Sequence, residues 1–303
     1  MVSLKRRILS AVLYADIFQY PMTHRELVRW IPTSKQISNQ TIQAALHVLV
    51  KQNVVRFVTP FIVIKKHTSH IGIHAERLVC SQKKWKKAYV VARFLRLIPT
   101  VLYVGVTGSL AMNNADIGDD IDICIVASKG TVWITRLLAT CVVEFVAKRR
   151  RPTTKNVQNT ICLNMFISEN ALKIATDQRD AYIAHELLQM VPLWERKGIE
   201  RKLLLANQWV KQYYYHAYAE RLAIRVLRIP RKNVWEQIVR LVEKPARHIQ
   251  LLYMKNRRTT EVITDTVIRF HPTDMRRIVL TALHRSLAVY KIPLDKEGKK
   301  NLK

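Results

Sequence analysis

Apolar residues recur every three or four positions through much of this chain and switch to a tight β-branched rhythm near its middle. Residues 4–18 (LKRRILSAVLYADIF) set Ile8, Val12 and Ala15 on one side of a helix that Pro21 ends. Thr23 predicts the cap of a second helix running to about Ile31, closed by Pro32. Ser38 caps a third through Asn53, with Ile42, Ala45, Leu46 and Leu49 as its buried stripe. Two β-rich pieces, 54–59 and 61–65, then meet at Pro60 as a small hairpin.

Further on, His67, His70 and His74 stand three and four apart, a spacing that would suit metal ligands on one helix face. Gly72 and the Thr68-Ser69 pair break that periodicity, so a surface loop is expected there. Residues 75–98 read as a long basic helix with a buried stripe of Leu78, Trp85, Val90, Phe94 and Leu97. Strands are expected at 101–107, in the apolar run after Asp119, and at 160–167, with an apolar helix at 130–147 and a basic loop at 148–155. From Asp177 the pattern is mostly helical: 182–190, 203–226, 234–254 and 259–269, with a turn at 228–231. His271 to Asp274 cap a last helix through Tyr290, and the Lys-rich end, 295–303, is expected to fray.

The stretch VLYVGVTGSLAMNNADIGDDIDICIV, residues 101–126, carries the chemistry. Gly108 permits a sharp turn and close backbone approach. Ser109 is the expected N-cap of a helix whose unpaired N–H groups would seat a phosphate. Asp120 and Asp122, two apart in a strand, would share one face at roughly 6–7 Å. Two such carboxylates suit Mg²⁺, which fills its shell with substrate phosphate and water.

Gly108-Ser109, ten residues, then Asp120-Ile121-Asp122 resembles the signature of the DNA polymerase β-like nucleotidyltransferase superfamily. The resemblance covers about residues 97–167. It implies a Gly-Ser turn gripping a nucleoside triphosphate and an Asp-x-Asp strand holding Mg²⁺ or Mn²⁺. Asn113 stands where that family often has Gly, and Asn tolerates left-handed backbone. Asp119 stands where many members have Ser. The family's third carboxylate falls at Asn164 in TICLNMFI, and an amide can ligate a cation but accepts no proton. Asp116, Asp119 and Glu169 are conceivable substitutes outside the strand frame.

Composition adds a partner and a setting. Lys and Arg number 51 against 22 Asp and Glu, a net charge of +29, which attracts RNA or another polyanion. The basic clusters at 83–87, 148–151 and 255–258 are dispersed, as for a ligand lying across several units. Four scattered cysteines without a C-x-x-C pair fit reduced thiols, and a cytoplasmic location is expected. No apolar run reaches the roughly 20 residues that span a bilayer.

These signals together predict an α/β (α+β) chain: a winged-helix-like module at 1–66, a connecting basic helix at 67–100, a small mixed sheet backed by helices at 101–176, and a helical region at 177–303. The winged-helix likeness rests on three helices followed by a hairpin. The outward face of its third helix (Asn39, Gln40, Gln43, His47, Lys51) is polar and hardly basic, so sequence-specific DNA reading is not expected. The function that the resemblance implies is Mg²⁺-dependent transfer of a nucleoside monophosphate to an acceptor hydroxyl. Its catalytic set is Asp120, Asp122 and Asn164; Asp120 and Asp122 hold the metal, and Gly108 and Ser109 hold the nucleotide. The rival is a catalytically degraded relative serving as a nucleic-acid-binding or regulatory module. Trp85, Arg136, the His185-Glu186 pair and the tyrosines at 213–218 read as packing or helix-surface residues rather than chemistry.

Overall fold

The computed structural model describes residues 3–151, 154, 156–223, 239–254, 262–269 and 275–290. Three helices open the chain: α1 (Leu4–Ile17), α2 (His24–Trp30) and α3 (Asn39–Lys51). Thr23 starts α2 through a capping box with Glu26, and the Ser38 hydroxyl accepts from Thr41 N to start α3. Ile42, Leu46 and Leu49 are buried as the periodicity requires, and Asn39, Gln40, Gln43, His47 and Lys51 are exposed. The hairpin β2 (Val55–Val58) and β3 (Phe61–Ile64) gains a third strand from β1 (Met22–Thr23), in the order β1-β3-β2.

The expected histidine loop is instead helical. A 3-10 turn at Lys65–His67 leads into α4 (His70–Leu95), in which Gly72 is accommodated inside a long continuous helix. The buried face of α4 is also not the expected one. Ser81, Lys84, Ala88, Val91 and Leu95 are buried, while Leu78, Val90, Phe94 and Leu97 are exposed and Trp85 is half-buried. Lys84 and Ser81 occupy the inner stripe, so counting apolar residues points to the outer one.

The central sheet has six strands in the order β7-β4-β5-β6-β9-β8. Here β4 is Val101–Val106, β5 Ile121–Ala127, β6 Ile161–Ser168, β7 Val191–Glu195, β8 Val262–Ile263 and β9 Val267–Arg269. Strands β5 and β6 run parallel, joined by the crossover helix α6 (Val132–Val146); the other neighbours are antiparallel. The mixed sheet backed by helices is therefore present. Helices cover both of its faces.

One face packs Ile121, Ile123 and Ile125 against α4, α6 and α10 (Glu243–Met254). The other packs Leu102, Cys124 and Val126 against α7 (Ala181–Gln189), α8 (Ile199–Ala206) and α9 (Tyr215–Ala223). Burying each such aliphatic side chain contributes about 1.5–3 kcal/mol, which fixes the register of β5 and hence the aim of its aspartates.

The helix expected at 182–190 is α7, and the strand β7 follows it directly, because Pro192 stops the helix and Val191 pairs with Val106. Two helical readings need correction. In place of the helix expected over 259–269, the described part, 262–269, is the hairpin β8–β9, in which Thr264 Oγ1 accepts from Thr266 N and Val267 N and closes the turn. The expected helix at 203–226 is interrupted after α8 by a 3-10 turn at Gln208–Gln212. There the Asn207 amide donates to Leu172 O and Leu203 O. Within that region Tyr214 and Tyr218 are buried in the core, as packing residues should be.

The last helix, α11 (Met275–Val289), sends Val279, Leu283 and Leu287 into the cluster formed by α1 to α3. The expected turn at 228–231, the cap at 271–274 and the Lys-rich end lie outside the described residues.

Candidate functional site

Residues 107–122 fold back on themselves so that the Gly-Ser turn and the acidic strand meet. Thr107 N donates to Asp122 O at 3.0 Å. Gly108 has φ +67°, and a Cβ there would stand 2.9 Å from Oδ2 of Asp122. Only glycine allows the turn to lie this close to the carboxylate. The helix after it, α5 (Gly108–Ala111), is a single turn with Thr107 at its cap position. Ser109 is thus not the N-cap. Its hydroxyl donates to Asp119 Oδ2 at 2.8 Å, and a one-turn helix carries little dipole to hold phosphate. Asn113 adopts φ 54°, the left-handed conformation expected of it.

Asp120 lies just ahead of β5 and Asp122 one residue inside it. An oxygen of each and the sulfur of Cys162 all lie within 4.8 Å of one another. The strand spacing therefore does bring the two aspartates together. Cys162 joins them because it pairs with Asp122 across the parallel β5–β6 ladder. Its only sequence signal is its strand position, two before Asn164.

One extra residue enters β6 between Cys162 and Met165, opposite Asp122 and Cys124. Asn164 sits in this bulge, 4% exposed, and its Oδ1 makes no hydrogen bond. A buried amide oxygen left unpaired costs about 1–3 kcal/mol, so Asn164 is an unsatisfied acceptor in the strand that pairs with Asp122.

Electrostatics sharpen the picture. Burial and the neighbouring Asp120 charge push the Asp122 carboxyl up to about 7. Burial and the Asp122 charge raise the Cys162 thiol, which keeps it protonated. Asp120 is instead paired with Arg150, whose Nη1 donates to Oδ2 at 2.6 Å. Arg150 reaches it because residues 148–150 line up beside the start of β6. There Ile161 N donates to Lys148 O, and Arg150 N donates to Ile161 O. The expected basic loop thus delivers an arginine to the acidic site.

A second carboxyl bears on the same place. Glu186, on the inner side of α7, is pushed up to about 7 by burial and then by the Asp122 charge. Of the three conceivable substitutes named above, Glu169 accepts from Lys129 N beyond the far end of β5 and Asp116 is exposed, whereas Asp119 lies at the site, where its Oδ2 accepts from Ser109. His185, beside Glu186, is stacked on Trp30 at 3.9 Å and takes no part in the site.

The site's supports come from α4. Lys84 is 1% exposed, and its Nζ donates to Asp119 O at 2.6 Å, Asn159 Oδ1 at 3.2 Å and Ile117 O at 3.3 Å. It thereby ties down the loop that presents Ser109's partner. Trp85 Nε1 donates to Asn113 Oδ1 at 2.6 Å. Lys83, Lys84, Lys87, Gln158 and Asn159 line a pocket beside this loop. Arg136 hydrogen-bonds Gln250 of α10, a contact between helices.

The donor set fits a divalent cation in part. Two carboxylates are the hard ligands that Mg²⁺ and Mn²⁺ take, and Asn164, in the bulge of the paired strand, has an unpaired amide oxygen. The thiol and the Arg150 guanidinium are not expected parts of such a site. All four cysteines are free, and no helix among the described residues is long and apolar enough to cross a membrane. No protein-family model, curated protein or solved structure matches the chain.

Proposed function

We propose that the chain is a nucleotidyltransferase that moves a nucleoside monophosphate from a nucleoside triphosphate to an acceptor hydroxyl. The observation that carries this reading is the contact of Gly108 with Asp122. A positive-φ glycine packed on the second of two strand aspartates is what a phosphate-cradling turn beside a metal-binding strand requires.

Asp120 and Asp122 would hold Mg²⁺ or Mn²⁺, and Asn164 would add a neutral oxygen. A bound divalent cation supplies charge neutralisation on the transferring phosphate and its leaving group. Gly108 leaves its backbone open to the triphosphate, and Ser109 hydrogen-bonds the substrate after letting go of Asp119. Glu186, whose carboxyl burial and the Asp122 charge raise to about 7, is the candidate to take the hydroxyl proton that Asn164 cannot. Lys84 and Trp85 position the loop. The wider positive surface, with Lys83 and Lys87 beside the site, favours RNA or another polyanion as acceptor.

A second reading rests on Arg150. Its guanidinium already neutralises Asp120, as in a transferase fold that keeps its frame and binds nucleotide or nucleic acid without turnover. In that reading the three helices and small sheet of residues 4–64 form a winged-helix-like module for protein or RNA contact.

Incubation with labelled nucleoside triphosphates, Mg²⁺ or Mn²⁺ and total RNA tests the proposal. Label should pass to an acceptor in the native chain and fail to do so in Asp120→Asn. Equal transfer by that variant would rule the mechanism out. Metal-dependent nucleotide binding without transfer in the native chain would favour the second reading.

A further inference from the structure

Well away from the aspartates, one carboxylate faces two imidazoles. Asp16 lies in the last turn of α1, His67 in the 3-10 turn after β3, and His70 is the first residue of α4. His67 Nδ1 is 2.8 and 2.9 Å from the two Asp16 oxygens, and His70 Nδ1 is 3.2 Å from Oδ1. The two rings stack at 5.1 Å, and ligand atoms of all three residues fall within 4.8 Å of one another. Residues 51 positions apart are thus brought to one point.

We propose that Asp16, His67 and His70 bind a divalent transition metal of the zinc type. Zinc takes imidazole nitrogen at about 2.0–2.1 Å and carboxylate oxygen at about 2.0–2.2 Å, so tetrahedral ligand atoms stand roughly 3.3–3.5 Å apart. The nitrogen–oxygen separations are a few tenths of an ångström shorter and the ligand atoms of the two imidazoles lie within 4.8 Å of each other, so side-chain rotations bring the set to that geometry. Two nitrogens among three donors favour zinc, cobalt or nickel over magnesium or calcium. His67 is 46% exposed at its side chain, against 13% for His70 and 17% for Asp16, so the fourth position faces water. His74 is not a ligand. It is buried between Tyr20 and Phe61, with Nδ1 3.4 Å from Asn114 Oδ1.

The place of the cluster suggests its role. Beside it, Arg77 of α4 donates to Phe18 O at 3.0 Å and Gln19 Oε1 at 2.8 Å, and Asn114 Nδ2 donates to Phe18 O at 2.9 Å. These bonds join the end of α1 to α4 and to the loop behind α5. A metal on Asp16, His67 and His70 pins the same joint, tying the N-terminal helices to the long helix that supports the aspartate site.

Calorimetric titration of the chelator-treated full chain with Zn²⁺, together with the visible absorption of its Co²⁺ form, tests this. One equivalent should bind at this site and persist in Asp120→Asn, with Co²⁺ bands of a tetrahedral nitrogen–oxygen site and a rise in unfolding temperature of several degrees. His67→Ala, at a half-exposed position that leaves folding intact, should weaken binding at least tenfold; Asp16→Asn should do the same, and Asp120→Asn should not. Zinc affinity unchanged in His67→Ala and Asp16→Asn, or several weak equivalents insensitive to both, would overturn the proposal and mark an adventitious ion only.

Discussion

Arg150 and Asp120 form an ion pair of 2.6 Å at the mouth of the acidic strand, with the guanidinium one-third exposed and the carboxylate nearly buried. The arginine holds the charge that a divalent cation would hold, so the two compete for one carboxylate. Replacing Arg150 by Met removes the competitor and leaves the strand unchanged. Mn²⁺ affinity should rise by about tenfold, the equivalent of about 1.4 kcal/mol, in a calorimetric titration. A fall in affinity would mean that Arg150 organises the site.

Gly108→Ala meets two obstacles at once, a left-handed φ and a carboxylate oxygen 2.9 Å from the new Cβ. The backbone term alone costs about 1–2 kcal/mol. Urea denaturation should show a loss of at least that size, and metal binding should weaken because Asp122 is displaced. A variant as stable as the native chain, with full affinity, would show that the turn is not pressed on the aspartate.

Asn164→Asp places a third carboxyl in the bulge beside two others. Without metal, the crowded charges should lower stability at neutral pH. With Mn²⁺ the order should reverse, as binding tightens and any transfer activity increases. Measuring the unfolding midpoint with and without Mn²⁺ checks both halves. A loss of stability that Mn²⁺ does not restore would place Asn164 outside the metal's reach.

His185 is buried on Trp30, and burial lowers its imidazole to about 3 from the ordinary 6.5. A lowered folded value means that stability is complete above 6.5 and drains away as pH falls toward 3, by up to about 1.4 kcal/mol per pH unit. His185 Nδ1 has no hydrogen bond, and the ring's side-chain hydrogen bond is to Gln189, so His185→Phe gives up that one bond while keeping a ring against Trp30. The stability difference between native chain and variant should be constant from pH 7 upward and move in the variant's favour below 6.5. Parallel curves through that range would refute the assignment.

Binding to RNA, if the surface charge drives it, should weaken steeply with salt, since each neutralised phosphate adds about 0.7 to the slope of log affinity against log salt for single strands. Lys83→Ala with Lys87→Ala should reduce that slope. A slope unchanged by the double substitution would move the contact away from the pocket beside Asp119.

What the sequence determined by itself was local. Thr23 and Ser38 cap the helices that their side chains announce, and β-branched runs became β4, β5 and β6. The period-two spacing of Asp120 and Asp122 brought two carboxylates together. Those features depend on neighbours within a few positions, and the chain alone records them. Tertiary structure decided which residues complete the sites. Cys162 reached Asp122 through strand register, Arg150 reached Asp120 from beside β6, and Asp16 met two histidines fifty residues away. It also turned Lys84 inward, against every expectation for a lysine, because three oxygens waited there to receive its ammonium. Long-range partners of this kind leave no periodic trace, since what selects them is the packing of the sheet and its covering helices.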